Sequence, residues 1–153
     1  REMVKVNTER EDGDKNKVDD YDEFQVYEEI KKKMGVDVVR FLQKSDDMIL
    51  VQSDIDEILK RVCLIYNNGE NIIEYQMIFN FKEQSHGYDI VDKKIKEEQF
   101  EVDGNNIVII QYELPDGGKE SVAQFTYKDV FYTINTTMDA KSFKELLKTL
   151  YFF

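Results

Sequence analysis

Cys63, His86 and a run of polar residues between Asp12 and Glu23 are the groups whose types and spacing could do chemistry. His86 is the single histidine and stands in Ser85-His86-Gly87-Tyr88-Asp89. A hydrolytic triad needs Ser, His and a carboxylate converging in space from rigid elements. Ser85 and His86 are instead adjacent, with no strand-turn-helix elbow around them, so His86 reads as an exposed loop histidine. One His and one Cys also cannot supply a closed zinc site. Cys63, between Val62 and Leu64, reads as a buried structural thiol. A reactive thiolate would want a cation beside it, and Arg61 lies on the same face of an alternating strand. Asp12, Asp14, Asn16, Asp20 and Glu23 match positions one, three, five, nine and twelve of a calcium-binding loop. Lys17 stands where that loop needs Gly, Asp19 where it needs an apolar residue, and no entering helix precedes it. The expectation is an acidic linker without a specific calcium site. Gly117-Gly118 lacks the helix and Lys-Ser/Thr of a phosphate loop. No catalytic, cofactor-binding or metal-ligating residue is assigned, no cofactor is expected, and the chain reads as a non-enzyme.

The elements that would position such groups follow from periodicity. Residues 1–20 are dense in charge and offer only Met3, Val4 and Val6 as early apolar points, so they read as a linker. Phe24, Tyr27, Ile30 and Met34 recur at helical spacing and predict a helix over 22–34, with Gly35 as its C-cap. Between Val36 and Val51 the short apolar pieces are ambiguous. Val62 to Tyr66 and Ile72 to Phe81 predict a hairpin around Asn68-Gly69, with Ile73, Tyr75, Met77, Phe79 and Phe81 on one face. Lys82 to Asp92 reads as a polar loop. A four-strand meander follows from Lys94. Its charged first strand suits a protected edge, Asp103-Gly104 and Pro115-Asp116-Gly117-Gly118 make turns, and Val108, Ile110, Tyr112 and Leu114 form one apolar face. Asp139 is the N-cap of a closing helix whose stripe is Phe143, Leu146, Leu147 and Leu150. The fold class is therefore α+β: an antiparallel sheet of five to seven strands, with an N-terminal and a C-terminal helix packed on it. Residues 21–153 read as a single domain.

Composition bounds the partners. The 153 residues carry a formal net charge of -11, which repels phosphate backbones and disfavours nucleic-acid binding. Lys31, Lys32 and Lys33 are the densest basic run, beside Glu28 and Glu29, and read as a solvated helix face. Ten Phe and nine Tyr argue against disorder, since each ring can bury about 150–250 Å². A lone cysteine permits no intramolecular disulfide and leaves the compartment open. No apolar run approaches the roughly 20 residues of a membrane span. The chain opens on Arg1 rather than Met, which sets the expectation of an upstream segment able to carry an anchor.

From about Tyr21 onward the chain resembles a domain-of-unknown-function family of Gram-positive bacteria. The carrying residues are Tyr27-Glu28-Glu29-Ile30, Leu64-Ile65-Tyr66 with Ile73-Glu74-Tyr75, and Phe100-Glu101-Val102-Asp103-Gly104 with Ile107-Val108-Ile109. Ala123-Gln124-Phe125, Phe131-Tyr132-Thr133-Ile134 and Phe143-Lys144-Glu145-Leu146-Leu147 complete the pattern. The chain departs from that family at Phe125 and Asn135, where Trp and Gly are common. Members commonly form the C-terminal, extracytoplasmic part of anti-sigma-factor-like membrane proteins. The resemblance thus implies a non-enzymatic sensor or regulatory domain outside the cell, tethered by a segment upstream and contacting a protein or cell-envelope ligand. It brings no catalytic residues. The alternative is a carrier of apolar ligand or lipid, using a concave sheet lined by Tyr75, Phe79, Tyr112 and Tyr132. The weakest alternative is a hydrolase built on His86.

Overall fold

The computed structural model describes residues 2–4, 20–42, 47–80 and 93–153. The elements in chain order are β1 (Glu2–Val4), α1 (Asp20–Met34), β2 (Arg40–Phe41), β3 (Ile49–Asp56), β4 (Arg61–Asn67), β5 (Ile72–Ile78) and β6 (Lys93–Val102). They continue as β7 (Asn105–Glu113), β8 (Lys119–Tyr127), β9 (Val130–Thr136), α2 (Ala140–Leu147) and β10 (Leu150–Tyr151). Seven strands in the order β3-β4-β5-β9-β8-β7-β6 make one antiparallel sheet, with the short β1 added outside β3. β10 and β2 pair separately. The α+β class and both helices are as the sequence predicts.

One face of the sheet is sealed. Register places Tyr66 opposite Ile73, Leu64 opposite Tyr75 and Val62 opposite Met77 across β4 and β5. The same rows run on through Tyr132 and Ile134 of β9 and through Ala123 and Phe125 of β8. Val26, Tyr27 and Ile30 of α1 and Phe143 and Leu147 of α2 complete one core with them. Alternation supplies the strands' buried side, because successive residues point to opposite faces. Both helices therefore lie on this face, where each can bury its apolar stripe.

The meander is present, and it closes in a way its own strands do not announce. After β5 the chain resumes at the far edge as β6, then folds back strand by strand until β9 pairs with β5. Two of its turns take left-handed backbone at both central positions: Asp103 and Gly104 at φ 53 and 79, Lys128 and Asp129 at φ 48 and 67. That pair of angles matches the twist of the flanking strands in a two-residue hairpin. Charge and a register shift between Lys94 and Lys96 protect the β6 edge, as expected.

Five expectations are corrected. The first helix begins at Asp20, two residues before the expected start at Asp22. At the β4–β5 turn only Gly69 has positive φ, because the Asn68 side chain accepts from the backbone N–H of Glu70 and Asn71 and shapes a longer loop. On β7 the core residues are Ile107 and Ile109; Val108, Ile110 and Tyr112 point to the opposite face. The strand is apolar on both sides, so its pattern alone had no preferred face. The closing helix stops at Leu147, and Leu150 is buried as part of β10 instead. Thr149 donates from both its hydroxyl and its N–H to the Leu146 carbonyl, which ends the helical ladder there. Within the charged N-terminal stretch, Glu2–Val4 pairs with β3 as a strand. Residues 5–19, the polar loop at 82–92 and Phe81 lie outside the described residues.

Candidate functional site

The sheet face opposite the helices carries polar side chains in register. Across β3, β4 and β5, one row is Asp54, Cys63 and Gln76, and the next is Asp56, Arg61 and Ile78. Two features position them. The Asp56 carboxylate accepts from the N–H groups of Ile58 at 3.2 Å and Leu59 at 2.9 Å, which folds the turn back on its own strand. Lys60 then takes φ 58, and its carbonyl accepts from the Phe79 N–H at 2.9 Å, tying the turn to the end of β5. The result is a cleft of about 230 Å³ whose lining includes Asp54, Asp56, Leu59, Arg61, Cys63 and Gln76.

Asp54 and Asp56 are each 9% exposed, whereas Arg61 stands in solvent at the mouth. Gln76 donates to Glu74 at 2.6 Å, which orients its amide along the strand. Cys63 is half-buried rather than the fully buried thiol expected, because its face of β4 has no helix over it. Arg61 does share its cleft, as alternation required. Asp54 stands directly across from Cys63 in the β3–β4 register. The cleft thus gathers two carboxylates, a guanidinium, a thiol and an amide beside apolar Leu59 and Ile78.

The remaining sequence candidates fall elsewhere. Ser85, His86, Asp12, Asp14 and Asn16 lie outside the described residues. Glu23 accepts from the Tyr66 hydroxyl at 2.6 Å, so it serves the fold. Lys31 and Lys32 are exposed at the end of α1, with Lys31 3.5 Å from Asp37 and Lys33 3.4 Å from Glu29. Among the described residues, no group of three or more His, Cys, Asp or Glu side chains could hold a metal ion.

The four rings proposed to line a carrier's concave sheet do not share a surface. Tyr112 points away from the helices, while Tyr75, Phe79 and Tyr132 belong to the core. Tyr75 and Tyr132 stack at 5.9 Å between centroids, and Phe125 lies on Tyr132 at 4.8 Å. Their hydroxyls hold the backbone of one residue: Tyr75 donates to the Val39 carbonyl at 2.5 Å, and the Val39 N–H donates to Tyr132 at 3.1 Å. A segment without its own ladder can be buried because both polar groups of Val39 are satisfied this way. Tyr66 donates to Glu23 and meets the Tyr27 hydroxyl at 3.0 Å, and the Arg40 guanidinium stands 4.6 Å over the Tyr27 ring. Burial pushes the pKa of Tyr27, Tyr66, Tyr75 and Tyr132 well above the ordinary tyrosine range, making each a weaker acid. The nearby Glu23 carboxylate adds to the rise at Tyr27 and Tyr66.

Sequence reasoning missed Asp54 and Asp56. The signal was their i, i+2 spacing in Gln52-Ser53-Asp54-Ile55-Asp56, which puts both on one side of a strand.

No curated protein and no solved structure gives a significant match to this chain. A family model described as "Domain of unknown function (DUF4367)" matches residues 38–150, most of the chain. The match opens at Val38, inside the segment pinned by Tyr75 and Tyr132, and closes at Leu150 in β10. Helix α1 precedes it yet shares its core through Val26, Tyr27 and Ile30. This chain belongs to the DUF4367 domain family.

Proposed function

We propose that this chain is a non-enzymatic sensor or regulatory domain, held on the outer side of a bacterial cell membrane by a segment N-terminal to it, as in anti-sigma-factor-like proteins. The observation that carries the reading is the family match, because residues 38–150 contain the hairpin, meander and closing-helix motifs on which the anti-sigma resemblance rests. The outer face of the sheet supports it as a recognition surface: its cleft combines carboxylates, a guanidinium and apolar side chains, which suits a protein or cell-envelope ligand. The net charge of -11 makes a cationic or neutral partner the better fit.

The test is topology in the full-length gene product. A reporter enzyme active only outside the cytoplasm, fused after Phe153, should be active in cells, and membrane fractionation should retain the fusion. Co-purification of the same product with a sigma factor would fix the regulatory class. A full-length product without a hydrophobic segment, or a reporter active only in the cytoplasm, overturns the proposal.

A further inference from the structure

The two edges of the seven-strand sheet are unlike. The β6 edge, Lys93–Val102, carries five charged residues in its first six positions and a register shift, both of which obstruct pairing with another strand. At the other edge β3 reads Ile-Leu-Val-Gln-Ser-Asp-Ile-Asp, rich in β-formers and without lysine. Its irregularity between Leu50 and Gln52 spoils pairing only in the first half. Over the second half, Ser53, Asp54 and Ile55 are covered by the three residues of β1, antiparallel, with Val4 opposite Ser53, Met3 opposite Asp54 and Glu2 opposite Ile55. A strand of three residues supplies few ladder bonds against the entropy of ordering it. Such a cover is exchangeable.

We propose that the Ser53–Ile55 edge of β3 is a strand-acceptor site, held in the resting chain by its own Glu2–Val4 and open, once vacated, to an extended peptide of a partner protein. The partner chemistry follows from the occupant and from the field. Arg1 and Lys5 flank Glu2-Met3-Val4, and the domain's net charge is -11. The fitting partner is therefore an extended segment with a short apolar centre and basic flanks, bound through its main chain. An incoming strand also runs beside Asp54, one of the residues that line the cleft. The proposal does not depend on the extracytoplasmic reading, since it concerns only the sheet and the first residues.

The test uses the full chain with Met3→Pro/Val4→Pro: N–H groups alternate along a strand, so one of these two faces β3 whichever phase the ladder takes, and that donor is removed. Residues 2–4 lie outside the seven-strand body and the family match, and the melting temperature should stay close to that of the unaltered chain. Two readouts decide. The amides of Ser53–Ile55 that face β1 should exchange with deuterated solvent faster in the variant. A labelled peptide of residues 1–8 should bind the variant more tightly and restore that protection. If Glu2–Val4 occupies the edge in about nine molecules of ten, freeing it raises apparent affinity about tenfold. The same peptide N-methylated at Met3 and Val4 should not bind. Unchanged exchange in the variant would overturn the proposal, because β1 would not be holding the edge. Faster exchange without peptide binding, or equal binding of the N-methylated peptide, overturns the acceptor. Dimerisation of the variant with protection restored would assign the edge to a second copy and overturn the peptide partner.

Discussion

Four buried tyrosines connect the central strands to the segments laid over them, and their hydroxyls are used structurally. Tyr66 is the hub, donating to Glu23 at 2.6 Å and meeting Tyr27 at 3.0 Å. Tyr66→Phe keeps the ring against Phe41 but removes the hydroxyl's bonds to half-buried Glu23 and buried Tyr27. The expected cost is about 1–3 kcal/mol, read from urea denaturation; a loss below about 0.5 kcal/mol would show that the bond adds nothing. The same residues set the alkaline limit. Burial holds the folded-state pKa of Tyr27, Tyr66, Tyr75 and Tyr132 above that of the unfolded chain, so the folded form binds more protons at high pH. Their contribution is complete below about pH 10, where both states are protonated, and falls as pH rises beyond it. Stability should thus drop steeply above about pH 10, with part of the phenolate absorbance appearing only on unfolding. A tyrosine titration that finishes before any loss of structure would contradict this.

At the scale of elements, α2 is an eight-residue helix that depends on its cap and on two side chains. Asp139 accepts from the Ser142 N–H at 2.9 Å and from its hydroxyl at 2.8 Å, bonds that hold its carboxyl below the ordinary range. A depressed folded-state pKa means that the contribution is present above the unfolded pKa and lost as pH falls through the folded one. Asp139→Asn should therefore keep the cap and flatten the acid limb of stability, whereas Asp139→Ala loses the cap at all pH values; circular dichroism melts across the acid range separate the two. Phe143 and Leu147 are the residues α2 buries, while Leu146 is only partly covered. Phe143→Ala should cost about 3–5 kcal/mol. Leu146→Ala should cost about 1–2 kcal/mol, and equal losses would mean that the helix is rotated from the described face.

For the whole molecule, the decisive feature is the inequality of the two sheet faces. Helices seal one, and the other presents Cys63 in a cleft beside Asp54 and Gln76. Cys63 should therefore react with a small thiol reagent in the folded protein, without denaturant, though more slowly than in the unfolded chain. Labelling that requires unfolding would show the outer face to be closed.

Local pattern determined a good deal by itself. Helical spacing of Tyr27, Ile30 and Met34 and the Gly35 stop, alternation in Ile73-Tyr75-Met77, and the turn residues at Asp103-Gly104 are each decided by neighbours a few positions away. Those signals sufficed for the class, both helices and the meander. The tertiary structure decided what depends on distant partners. β9 lies on β5 because the returning meander finds the open side of the hairpin, a pairing between residues far apart in sequence. The core side of β7 was decided by which face the helices cover, since its two faces are nearly equally apolar. The cleft escaped a reading based on motifs because its chemistry is split over Asp54, Arg61 and Gln76 on three strands, and only register brings them side by side. The tyrosines likewise read as apolar bulk, and their role emerged from Val39, whose buried backbone needed a donor and an acceptor that no nearby strand supplied.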